Sequence, residues 1–388
     1  MKTPRSFAGK LAIVEQIREE RRRARPVVER LVATIERHWD EEIPDEWRNV
    51  GFVQELNDVF PTILQQNPGT AHSIAQYALT VATTIPPDRY PSMILTGVKA
   101  TAWRRIAQAH HYQSDYPSAL RALDAAEKYL WAEVGLFEER ATAGFVRAMI
   151  YADLQRFDEA VTLLSDSEEI FADAGDVRLR GHCLLLRGTI AYRQHRLLAA
   201  ARIFREAAEV LREADDLRHL ASALQGLGVA EIDLGEPASA LGACQDALSI
   251  FSDLGLTGEI ARTKGFLGRI SLSLGRYPEA RKLLTETRSV FLSLHMPEEA
   301  GLAGLELVES FIALREEFRA MAVVEEVIAE FRRANLNGRA ATALAYLRDM
   351  VSSPRAPEAA RHVRKYVEAL KHEPERLFMP LPDDDQRS

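Results

Sequence analysis

The sequence predicts an all-α protein, a right-handed α-solenoid of stacked antiparallel helix pairs. Three observations predict it. Apolar residues recur at three- and four-residue steps through most of the chain, the spacing of one face of a helix. Small residues and turn residues return in a register of about 40 residues. No window shows sustained alternation bounded by hairpin turns, so no strand is expected.

The register is read from the short turns that follow each apolar run: SDYPSAL, QRFDEAV, HRLLAAA, GEPASAL, GRYPEAR and EEFRAMA. The alanines after these turns are Ala119, Ala160, Ala200, Ala240, Ala280 and Ala320, spaced by 41, 40, 40, 40 and 40 residues. A second ladder runs twelve residues upstream: Ala107, Ala148, Gly188, Gly228, Gly268 and Val308. Small residues there allow two helices to approach closely. A third ladder, Gly135, Gly175, Asp215, Gly255, His295 and Asn335, marks the other turn of each unit. Gly and Asn tolerate the left-handed backbone that ends a helix. His295 is the odd member, with Pro297 following to stop the helix. One such pair cannot bury its apolar faces alone, and stacking the pairs makes a continuous core.

The small residue in the first helix, the alanine twelve positions later and the bulky residue four beyond that resemble the tetratricopeptide repeat. The bulky positions hold Leu123, Leu164, Phe204, Cys244, Leu284 and Val324, and Trp103 stands four before Ala107. The period of 40 exceeds the usual length of about 34 residues, which resembles the longer-helix units of bacterial regulators and kinesin-light-chain-like adaptors. The resemblance covers residues 95–371, as six repeats and a C-terminal capping pair. Residues 1–94 form an N-terminal helical region that includes a degenerate repeat, and 372–388 read as a disordered tail. Pro61 is expected to kink or break the helix before residue 68, and Pro26 to interrupt a long helix over 10–40.

The resemblance implies a superhelix whose first helices line a concave groove. It places ligand contacts around the small position: Thr101, Arg104, Gln108 and His111, with Tyr112 adjacent, in the first repeat. Phe145 and Met149 follow in the second, and His182, Leu185 and Tyr192 in the third. Gln225, Arg262 and Arg269 follow in the later repeats. This mixture describes a partly basic mouth and an apolar, aromatic middle, suited to an extended or helical segment with apolar anchors. A dicarboxylate clamp is not expected, because Val146 stands where an Asn is needed.

Composition narrows the function. The 388 residues carry a formal net charge of −8 and are 47% hydrophobic and 27% charged, which excludes global disorder. Mild acidity argues against binding nucleic acid through a large basic surface. The densest cluster, Arg18, Arg21, Arg22, Arg23 and Arg25, is interleaved with Glu15, Glu19 and Glu20 and reads as a solvated helix face. Cys183 and Cys244 form no metal-binding or redox motif and read as buried thiols. No run approaches the ~18 apolar residues of a membrane span, and no secretory leader is recognised, so a cytoplasmic protein is expected. Phosphate-loop, nucleophile-elbow, zinc-protease and EF-hand signatures are absent. His110 and His111 are adjacent and point about 100° apart on a helix, so they cannot share a metal.

The expectation is therefore a non-enzymatic scaffold that captures a protein or peptide in the groove, with no cofactor, no metal and no catalytic residue. The alternatives are a peptide-responsive regulator of the same fold and a nucleic-acid-associated or catalytic role of the N-terminal region.

Overall fold

Seventeen α-helices and one 3-10 turn, with no strand, make up the described residues of the computed structural model, which are 7–32, 34, 43–334, 338–370 and 373–382. The first part holds α1 (Phe7–Val32), the 3-10 turn (Asp45–Trp47), α2 (Val50–Gln66), α3 (Pro68–Thr84), α4 (Ser92–Tyr112), α5 (Tyr116–Leu130), α6 (Phe137–Asp153) and α7 (Phe157–Ala174). Then come α8 (Val177–Arg193), α9 (Leu197–Glu213), α10 (Leu217–Asp233), α11 (Pro237–Asp253), α12 (Thr257–Ser273) and α13 (Tyr277–Ser293). The chain continues with α14 (Pro297–Ala313), α15 (Glu317–Arg333), α16 (Gly338–Met350) and α17 (Ala356–Leu370). Two compact units, 1–190 and 191–388, divide within α8.

Local chemistry makes the register. Most helices from α6 to α15 are 17 residues long and are separated by two or three residues. Each turn places one residue in the left-handed region, and the next residue closes the helix. Within repeats these residues are Ser114, Gln155, His195, Gly235, Gly275 and Arg315, with φ between 56° and 81°. The following amide donates to the carbonyl five residues back, as in Arg156 to Tyr151 (2.8 Å), Glu236 to Glu231 (2.9 Å) and Glu316 to Phe311 (2.8 Å). This is the Schellman closure of a helix. Between repeats the same geometry recurs at Gly175, Asp215, Gly255 and His295; Asn335 lies outside the described residues. So short a link leaves the next helix no path but back along the previous one.

Packing then follows the ladders. Ala119, Ala160, Ala200, Ala240, Ala280 and Ala320 are all fully buried, as are Ala107, Ala148 and Val308. At Gly228 an added Cβ would lie 2.4 Å from the Cys244 sulfur, so the helices touch through hydrogen. Both cysteines are fully buried, and burial pushes each thiol up to about 12.

Three expectations are corrected. Helices α1 and α2 run through Pro26 and Pro61. Both rings sit on exposed faces, where the lost N–H removes one helix bond without disturbing a packed neighbour. The α1 arginines are more than a solvated face: Arg21 (2.7 Å) and Arg25 (3.2 Å) both bond the buried Glu55 of α2. Glu20 accepts from Arg89 (3.2 Å) and from the Gly51 amide (3.2 Å), where an added Cβ would strike α1. Residues 373–382 are also placed, not loose. Phe378 packs within 5.0–5.4 Å of the Tyr346, His362 and Tyr366 rings, and Arg355 bonds the Pro382 carbonyl at 2.7 Å. The Tyr366 hydroxyl donates to the Arg376 carbonyl (2.9 Å) and Arg339 to the Pro374 carbonyl (3.2 Å), so the tail is held by polar contacts as well as by Phe378.

In the second unit α17 packs against α14 as well as α16. Arg364 bonds Glu309 (2.7 Å) and Glu368 (3.0 Å). Arg269 faces Glu306 (3.6 Å), Glu368 (3.5 Å) and Asp233 (3.4 Å), and the Tyr192 hydroxyl donates to Asp233 (2.6 Å). Four carboxyl groups thus share two guanidiniums. Burial pushes the Glu306 carboxyl up to about 7, against the pull of Arg269 and Arg364.

Three stability predictions follow from this architecture. Gly228→Ala is expected to cost about 1–3 kcal/mol through overpacking, and Cys244→Ala in the same chain to recover part of it. Denaturant melts of both single variants and the double variant check this, and strict additivity would contradict the contact. Arg315→Gly removes a left-handed strain of about 1 kcal/mol and should raise Tm. The raised Glu306 carboxyl binds its proton more tightly in the folded state. Stability is therefore lost as pH rises from the ordinary glutamate range to about 7. Glu306→Gln should stabilise the chain at pH 8 by up to about 3 kcal/mol and have little effect at pH 5; equal shifts in Tm at both pH values would refute this.

Candidate functional site

The first helices of successive pairs lie side by side within each unit, α2, α4 and α6 in the first and α10, α12 and α14 in the second. This face includes the helices that carry most of the residues singled out from the sequence, while His182, Leu185 and Tyr192 stand on α8. In the first unit it holds a cavity of about 460 Å³ between α2, α4 and the start of α6. Thr101 and Arg104 line it, with Met93, Ile94, Val98 and Leu136 forming an apolar wall. The polar side is Gln54, Asn57, Asp58, Arg21, Arg105 and Glu139.

Charge in this cavity is unevenly matched. Arg21 is already held by Glu55 and Asp58. Arg105 donates to Gln108 (3.0 Å) and stacks over the Phe60 ring (5.1 Å), but its buried Nε has no hydrogen-bond partner. Among the described residues nothing bonds Arg104. Burial and the charge of Arg105 hold Arg104 down to about 9, with Glu139 pulling the other way. At neutral pH it still carries its charge. The side-chain oxygen of Asn57, 6% exposed, is likewise buried without a partner.

The other sequence-predicted residues are mostly engaged by their neighbours. His111 pairs with Asp153 at 2.8 Å, and Tyr112 is exposed. Phe145 is half-buried, its ring 6.4 Å from that of His182, and Met149 and Leu185 are half-buried on the same helices' faces. In the second unit Gln225 donates to Thr263 (2.7 Å), and Arg262 to both oxygens of Glu259 (2.8 Å). Tyr192 and Arg269 belong to the ionic network described above. A smaller cavity of about 200 Å³ lies there, lined by Arg262, Arg269, Phe266, Leu302, Glu306 and Glu368. Glu368 comes from α17, so the capping pair covers part of the face expected to be open.

Sequence reasoning missed Asn57, Gln54 and Arg105. Arg105 follows Arg104 directly and was legible as a basic pair. Asn57 and Gln54 lie on α2, some fifty residues earlier, and only folding brings them to α4.

The geometry can be set beside known proteins. No family profile matches the chain, and no curated protein matches it. Among solved structures, a signal-transduction ATPase from Pyrococcus horikoshii with a tetratricopeptide repeat sensor aligns with TM-score 0.63 and 15% identity, over 90% of this chain and 53% of that one. A Rap protein complexed with competence and sporulation factor aligns with TM-score 0.54 and 14% identity, over 92% of this chain and 98% of that one. Aspartyl phosphate phosphatase F from Bacillus subtilis aligns with TM-score 0.53 and 14% identity, over 84% and 85%. Repeat register, paired helices and these alignments agree that the chain has the fold of a tetratricopeptide-type repeat protein.

Proposed function

We propose that the chain is a protein- or peptide-binding adaptor that works through its first-helix face, without catalysis of its own. The observation that carries this reading is Arg104, an unpaired guanidinium lining an open cavity on that face. Arg104 is half-buried, and holding a charge partly out of water without a bonded counter-ion lowers stability, a cost commonly retained where a ligand supplies the missing partner. The loop between α5 and α6 adds apolar surface beside the cavity. Trp131, Val134 and Phe137 are 72%, 89% and 54% exposed, while Leu136 between them turns into the cavity. Arg140 stacks on both Trp131 (5.0 Å) and Phe137 (4.6 Å), which holds the aromatic rings in place. Exposed aromatics beside a preformed cavity are the composition of a binding hot spot. A Rap protein of this fold is seen with a bound factor, which supports a binding role for the fold.

The test is capture of partners from source-cell lysate by the wild-type chain and by the Arg104→Glu/Phe145→Ala variant, after both show equal helicity and melting. Partners retained by wild type and lost at least tenfold from the variant are expected. Equal retention by both would move the working surface away from this face.

A further inference from the structure

We infer that a second copy of this chain covers the cavity of the first unit, laying the loop between its α5 and α6 over it and setting its Glu133 carboxylate on Arg104. The contact is two-fold, so each chain gives one loop and receives one. This rests on the reading of this face as a binding surface and names one occupant for it.

The loop is the exception in a regular array. Residues 131–136 join α5 to α6 with six residues, where every other link from α4 to α15 has two or three. Those links show that chain reversal needs no more, so the added length does something else. It raises an apolar tip, with Val134 89% exposed between Trp131 and Phe137. The tip is held in place. Arg140 stacks on both rings, and Gly135 turns the chain with φ of 108°. A Cβ added at Gly135 would lie 3.7 Å from the sulfur of Met93, which also lines the cavity, so loop and cavity adjoin. A fixed, exposed apolar tip is unfavourable on a solitary soluble chain and marks a surface that is covered.

Charge indicates what covers it. Arg104 has no bonded partner, and only Glu139 draws on its charge. Glu133, within the tip, likewise makes no hydrogen bond or ion pair among the described residues. The cavity therefore offers a guanidinium and an apolar wall of Met93, Ile94 and Val98, while the loop offers a carboxylate between two apolar side chains. Each side carries what the other lacks. A free inorganic anion would answer Arg104 and leave the tip in water. A nucleic acid or an anionic membrane would meet the carboxylates of Glu133 and Glu138. Because loop and cavity adjoin on one face, a two-fold axis at their border brings each loop over the other cavity. Reciprocity also supplies area. One loop alone falls short of the about 800 Å² per partner of a stable interface, whereas a two-fold contact uses the loop and the cavity rim of both chains.

Sedimentation velocity of the full chain over a range of concentrations tests this. The wild-type chain is expected to dimerise reversibly. Glu133→Arg and Arg104→Glu should each weaken the dimer at least tenfold, by placing like charges together at both contacts. An equimolar mixture of these two variants should associate nearly as well as wild type, because its heterodimer holds one native pair and one exchanged pair. Trp131→Ser with Val134→Ser should also weaken the dimer at least tenfold without lowering the Tm of the monomer. If Arg104→Glu fails to fold, Arg104→Gln and Glu133→Gln give the same test as a cycle, in which the two losses are expected not to add. A wild-type chain monomeric up to about 200 μM, a dimer indifferent to the charge reversals, a mixture that fails to associate, or strictly additive losses would each overturn the inference. A monomeric chain whose partner capture still depends on Arg104 and Phe145 would remove the two-fold contact and leave the adaptor reading standing. Rescue by charge exchange, with partner capture indifferent to Arg104→Glu/Phe145→Ala, would do the reverse.

Discussion

Every higher feature of this chain depends on one local device, the turn in which a single residue enters the left-handed region and the next amide closes the helix. It stops each helix at nearly constant length and starts the next at once. Constant length sets the 40-residue period, and the short link sets the antiparallel pairing. The period in turn brings each small residue opposite the same partner in the next helix. Two of the six within-repeat turns use glycine, Gly235 and Gly275, yet Ser114, Gln155, His195 and Arg315 hold the same backbone. The packing of two helices on either side is sufficient to impose it.

Within that frame the polar residues of the first-helix face meet two fates. In the second unit, α17 brings Arg364 and Glu368 to Arg269, Glu306 and Glu309, and charges expected to face a ligand are consumed internally. Burial is what pushes the Glu306 carboxyl toward neutrality, against the pull of Arg269 and Arg364, with the neighbouring Glu368 and Glu309 adding a smaller push. In the first unit, α2 supplies amides and carboxylates on one side of a cavity, but among the described residues none bonds Arg104 and only Glu139 draws on its charge. First-helix arginines therefore close a structure in one place and border an opening in another. The difference lies in which helix happens to pack alongside.

The ladder residues were legible because each stands where only a small or turn-forming side chain fits, and that restriction shows in residue type. The Ala119-to-Ala320 ladder is buried throughout, and the glycine ladder marks true close approaches at Gly228 and Gly268. The turns led by Ser114 were legible as turns, but their left-handed backbone was not, since serine, glutamine, histidine and arginine carry no signal of it. Pro26 and Pro61 misled for a related reason: each costs its helix a backbone bond and a clash with the preceding turn, and whether packing on the other face outweighs that cost is not written in the residue itself. The docked tail escaped notice because Phe378 finds its three aromatic partners on helices that precede it in the chain.

The sequence by itself determined the helices, their lengths, their pairing and the residues buried where they cross. These depend on backbone preference and on contacts repeated every 40 residues, which a periodic sequence states many times over. Tertiary structure alone decided which charges on the first-helix face are answered. Arg104 and Arg269 both stand near the small residue of a first helix and were read from the sequence as the same kind of groove cation. Asn57 and Glu368 stand beside them only after folding, and Coulomb and hydrogen-bond energies depend on distances that no single repeat specifies.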